Sequence, residues 1–159
     1  MSVITYIYPL APEQIGIDRL DDVLSANGFA IIERAVEPRS LPDWSYILLS
    51  HQSSKNLRFK LVATKNSKSN IKWIAERFPR DAKVAIVEQA KKYVWCQIVA
   101  GRSPDKELLN GIHVFNHFVA VIARLSKAVV DLPENGKLYS SMGFSRYSNS
   151  SGSPNRRTK

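Results

Sequence analysis

The sequence predicts an α+β fold, a mostly antiparallel sheet of about four to six strands with helices packed on one face. Three observations carry this. Leu57, Phe59, Leu61 and Ala63 alternate with Arg58, Lys60 and Val62, the period of a strand with one face on a core and one in water. Leu108, Ile112, Phe115, Val119, Ile122 and Leu125 instead recur at helical spacing. The strand-like segments cluster early and the helical ones late, which is the α+β pattern rather than alternating βα units.

Taken in order, Val3–Tyr8 is β-branched and aromatic and predicts the first strand. Asp18 is placed to cap a short helix with Leu20, Val23 and Leu24 on one side, ended by Asn27-Gly28. Phe29–Ile32 predicts a second strand. Trp44–Ser50 and Leu57–Thr64 predict two more, joined by the polar turn His51–Lys55. Ser69 is expected to cap a helix carrying Ile71, Ile74 and Phe78, stopped near Pro79. The apolar run Asp81–Ala100 reads as one long helix, or as a helix to about Lys92 followed by a strand over Tyr93–Val99. Helix is the expectation for its first part. Leu108–Lys127 is the clearest helix; Asn110, His113, Asn116, His117, Arg124 and Lys127 fall largely away from its apolar stripe. Ala128–Asp131 and Lys137–Ser140 predict a hairpin around Pro133–Gly136. From Ser145 onward Ser, Asn, Gly, Pro and Arg dominate. The expected organisation is therefore one domain over 1–144 and a flexible basic tail over 145–159.

Composition is that of an ordinary globular protein, 44% hydrophobic and 23% charged over 159 residues. A single cysteine, Cys96, excludes an intrachain disulfide and fits a reducing, cytoplasmic setting. Val3–Leu10 lacks the basic flank and the length of a signal peptide or membrane span, so no membrane partner is expected. Charge is unevenly spread: residues 1–53 carry net −4, 54–107 net +8 and 108–159 net +5, for a total of +9. Such asymmetry points to a charged macromolecular partner, either an acidic protein surface or a nucleic acid.

The residues that chemistry would use are few. His113 and His117 stand four apart on one helix face, as a metal pair would, but no third ligand accompanies them and neither HExxH nor CxxC occurs. Cys96 lies in an apolar run, and His51 beside its serines comes without an orienting acid; both read as structural. Asp21 and Asp22 are adjacent, hence about 100° apart on a helix, a poor acid/base pair. With no GxGxxG or GxxxxGK[ST] loop, the sequence predicts no catalytic residues, no metal and no cofactor, a non-enzymatic protein. The candidate binding residues are Lys55, Arg58, Lys60, Lys65, Lys68, Lys72 and Trp73, expected on one basic face, with His113, His117 and Arg124 forming a second polar stripe. No RNP1, KH or helix-turn-helix pattern marks them for nucleic acid.

Residues 108–139 run from apolar helix through Val-Val-Asp, a turn and Gly-x-Leu-Tyr. This ending resembles that of some small cytosolic proteins of bacterial toxin–immunity loci. The resemblance implies a non-enzymatic inhibitor that occludes a partner toxin, here one with an acidic surface. Nucleic-acid binding through the basic 55–83 segment is the alternative.

Overall fold

The computed structural model describes residues 2–100 and 105–151. Seven strands form one sheet: β1 (Ser2–Tyr8), β2 (Phe29–Val36), β3 (Trp44–His51), β4 (Leu57–Lys65), β5 (Lys92–Ala100), β6 (Val129–Leu132) and β7 (Lys137–Tyr139). Their order is β2-β3-β4-β5-β1-β6-β7, and every neighbouring pair is antiparallel. The fold is α+β, with a sheet larger than the four to six strands expected. The additional reach comes from β5, which takes the whole of Lys92–Ala100 as a central strand. Five α-helices accompany it: α1 (Ile17–Ala26), α2 (Lys68–Arg77), α3 (Val84–Gln89), α4 (Asp105–Ser126) and α5 (Ser141–Ser151).

The two faces of the sheet are treated differently. On the first, Leu57, Phe59 and Leu61 of β4, Val94, Cys96 and Ile98 of β5, and Ile47 and Leu49 of β3 are all buried. They pack with Leu20 and Leu24 of α1, Phe115, Phe118 and Ile122 of α4, and Phe144 of α5. Phe59 meets Phe29 and Phe118 edge-on and Phe115 stacked, with centroids 5.4 to 6.2 Å apart. Gly111 lets α4 settle on β4, since a Cβ there would overlap Leu57 Cδ1. On the second face a smaller cluster joins Ile74 of α2 and Val87 of α3 to Tyr8, Val129 and Leu138. Helices thus flank both faces, unequally, where a single covered face was expected. Alternation explains it: Tyr6, Tyr8, Val129 and Leu138 project opposite to Ile7 and Val130, and their apolar surface needs its own cover.

Local signals differ from expectation in four places. The cap of α2 is Ser67, whose Oγ accepts the Asn70 N–H at 3.2 Å, and Ser69 is the second residue of the helix. At α1 the first N–H, that of Ile17, is taken by Asp43 Oδ1 at 2.8 Å from a distant loop, so Asp18 only adds charge to the first turn. The run from Asp81 yields only the short α3 before the strand begins. Finally, residues 145–151, expected as the start of the tail, are the second half of α5: Phe144 is buried and its ring packs with Tyr139 and Tyr147. Residues 152–159 of the expected tail lie outside the described residues. Among the described residues no helix is long and apolar enough to cross a membrane.

Candidate binding face

Strand register fixes what stands on the second face. One row crosses all seven strands: Ala35, Tyr46, Val62, Trp95, Tyr6, Asp131 and Leu138. The next row is Glu33, Leu48, Lys60, Gln97 and Ile4. The helical insert between β4 and β5 covers the β1-β6-β7 part of this face and the Tyr93 end of β5. Two polar ties fasten it there, through Asn70 and Arg77, and a third, through Asn66, closes the insert on itself. Asn66 donates both amide hydrogens to the Val87 and Ala90 carbonyls at 2.8 Å. Asn70 donates to the Tyr8 hydroxyl at 3.0 Å. The Arg77 guanidinium reaches the Asp131 carboxylate at 3.0 Å and lies against the Trp73 and Phe78 rings, 4.2 and 4.8 Å from their centroids.

Burial sets the chemistry of this covered part. Asp131 is fully buried, and desolvation raises its pKa above 3.8 although Arg77 pulls the other way. Desolvation also raises the Tyr6 hydroxyl, with Tyr93 and Asp131 adding to it, and lifts the Tyr8 hydroxyl out of the ordinary phenol range. These are the marks of a structural clamp. Burial likewise pushes the Cys96 thiol far above its usual range, which removes it as a nucleophile.

Over β3, β4 and the rest of β5 no described helix covers the second face. Tyr46, Leu48, Lys60, Val62, Trp95 and Gln97 are half-buried there. Lys60 holds its ammonium 5.2 Å from the Trp95 ring centroid. The Trp95 indole N–H is out of solvent and has no hydrogen-bond partner among the described residues. The open part is therefore an aromatic and aliphatic strip crossed by two cations, Arg58 and Lys60, with Glu33 at its far edge. The edge strand β2 beyond it is interrupted by register shifts at Ile31/Glu33 and Ala35/Val36, which discourage sheet extension.

The structure divides the sequence-predicted binding residues. Arg58 and Lys60 share the open face as alternation requires, and Lys55 stands at its corner. Lys65, three pairings beyond Val62, falls on the opposite side at the strand end. Lys68 and Lys72 are exposed on α2, Lys72 within 4.0 Å of Glu76. Trp73 is 49% exposed and occupied by Arg77. The expected single basic face thus separates into three parts, Lys55 with Arg58 and Lys60, Lys65 on the opposite side, and Lys68 with Lys72 on α2, because β4 alternates and α2 is a separate helix. His113, His117 and Arg124 are exposed on α4, the helix that packs on the first face. Asn116, assigned by spacing to that outward stripe, is buried with its side-chain oxygen unpartnered. Among the described residues no three metal-ligating side chains converge. Tyr46, Leu48, Trp95 and Gln97 escaped the sequence reading; the alternation Tyr93, Trp95, Gln97 against Val94, Cys96, Ile98 would have revealed two of them had the run been read as strand.

Compared with known proteins, the chain matches no family model, no curated protein and no solved structure.

Proposed function

We propose that this chain is a non-enzymatic protein-binding module of the immunity type, working in the cytoplasm, that occludes an acidic surface of a partner protein, a toxin in that setting. The observation that carries this reading is the open half-face over β3–β5. It combines Trp95, Tyr46 and Arg58, the residue types that dominate interface hot spots, with neighbouring aliphatics and Lys60. The chain's net charge of +9 and the near absence of carboxylates on this strip favour an acidic partner. The resemblance of 108–139 to immunity proteins supports it independently, and that segment folds as α4, β6 and β7. Nucleic-acid binding through the 55–83 cations is the alternative, and nuclease treatment separates it from protein capture.

Affinity capture from nuclease-treated lysate, run in parallel with wild type, Lys60→Glu and Tyr46→Ala, tests the reading. A defined protein recovered by wild type, released by salt and lost with both variants is the expected outcome. Equal recovery by all three, or a capture abolished by nuclease, would overturn it, the latter in favour of nucleic acid.

A further inference from the structure

At the corner of the open face, where the Asn27-Gly28 turn meets the turn after β3, lies a shallow cleft of about 420 Å³. Its described lining holds two cations, Lys55 and Arg58, and no carboxylate. Neither cation is ion-paired among the described residues. We propose that this cleft is a binding site for a phosphate-type oxyanion, the terminal group of a phosphate monoester.

The walls are held before any ligand arrives. Arg58 Nη1 donates to the carbonyls of Lys55 and Leu57 at 2.8 and 2.9 Å, which fixes the guanidinium and leaves its remaining N–H groups to point elsewhere. His51 closes the back. Its Nε2 faces the Asn27 carbonyl at 2.9 Å, and a carbonyl only accepts, so Nε2 carries the proton. Its Nδ1 then accepts the Ser53 N–H at 3.1 Å. The imidazole is spent on bracing two turns and stays out of ligand chemistry. From below, the Asn110 amide on α4 reaches the Ser53 and Ser54 hydroxyls at 3.3 Å. Gly28, at φ 86°, keeps the cleft open: a Cβ there would stand 2.9 Å from the Gln52 amide and the His51 ring.

Two cations on one lining match a dianion, and Ser50 and Gln52 add neutral donors to the same lining. A phosphate offers the three terminal oxygens such a set can occupy; a planar carboxylate offers two. The cleft goes beyond the protein-docking reading, because the centre of that face, Tyr46, Val62 and Trp95, takes no part in its lining.

The test is a titration of the ¹⁵N-labelled full chain with inorganic phosphate, with a 5′-mononucleotide and with an oligonucleotide lacking terminal phosphates. Saturable shifts of the Gly28, Ser50 and Gln52 amides with phosphate and the mononucleotide are expected. Arg58→Gln and Lys55→Gln should each weaken this binding about tenfold, while Lys137→Gln leaves it unchanged. Lys55→Gln keeps the test open should loss of the Arg58 bonds disturb the turn. Absence of saturation, equal weakening by Lys137→Gln, or binding of the oligonucleotide alone would each overturn the site. Tyr46→Ala separates the two proposals, since it should abolish protein capture and leave phosphate binding intact.

Discussion

The two faces of the sheet are built from the same strands and serve opposite ends. The first lies under α1, α4 and α5, where its side chains fall almost entirely out of solvent around the Phe29, Phe59, Phe115 and Phe118 rings. The second is covered over β1, β6 and β7 by a helical insert held through a few polar ties, and bare over β3, β4 and most of β5. In strands with apolar residues at both parities, fold stability accounts for the whole of one face only. On the other, the Tyr8, Ile74, Val87 and Leu138 cluster serves the fold over β1, β6 and β7, and the half-buried strip over β3–β5 is the part left for the proposed contact.

The largest expected effect sharpens this contrast directly. Phe59→Ala, on the closed face, should cost about 3–5 kcal/mol in denaturant unfolding, since three rings lose their partner and a cavity remains. Tyr46→Ala, on the bare half, should cost about 1 kcal/mol or less. Comparable losses would break the distinction.

The clamp under the insert comes next. Arg77→Met leaves the fully buried Asp131 without its cation and should cost about 3 kcal/mol near neutral pH. Because Asp131 can then take up a proton, the loss should shrink as pH falls. Pairing Arg77→Met with Asp131→Leu should recover most of the stability; no recovery would mean the insert is held by something other than this pair.

A pH scan gives a smaller effect. Burial holds the Asp131 pKa above 3.8, so the folded chain keeps this proton after the unfolded chain has lost it. The residue's contribution to stability therefore falls as pH rises from 3.8 through the raised value. Measured against Asp131→Asn, wild type should gain on lowering the pH toward about 4; the opposite trend would mean Arg77 outweighs burial.

The smallest effect concerns α5. Tyr147 packs on Tyr139 and Phe144 with centroids 5.4 and 5.7 Å away, so Tyr147→Ala should lower stability by about 1 kcal/mol. An unchanged melting temperature would return residues 145–151 to the status of a tail.

What the sequence revealed depended on how local each signal was. In β4 the alternation of Leu57, Phe59 and Leu61 with Arg58 and Lys60 is self-contained and was readable. In β5 the residues of both parities are apolar or aromatic, because one side faces α4 and the other the aromatic strip; periodicity alone cannot separate that run from a buried helix. The second half of α5 has the composition of a linker and becomes a helix through packing on Tyr139. The candidate binding face was the least legible feature. Tyr46, Val62, Trp95 and Tyr6 become neighbours only through pairings across four strands, and Arg58 and Lys60 were found without the Trp95 ring that Lys60 lies over.

The most direct test of the bare half-face is carbene footprinting of the free full-length chain with residue-level mass spectrometry. Tyr46, Leu48 and Trp95 should label readily, while their strand neighbours Ile47 and Leu49, and Phe59 of β4, stay protected. Equal protection of Leu48 and Leu49 would mean that another segment covers β3–β5, and that the chain keeps no open face with which to bind a partner.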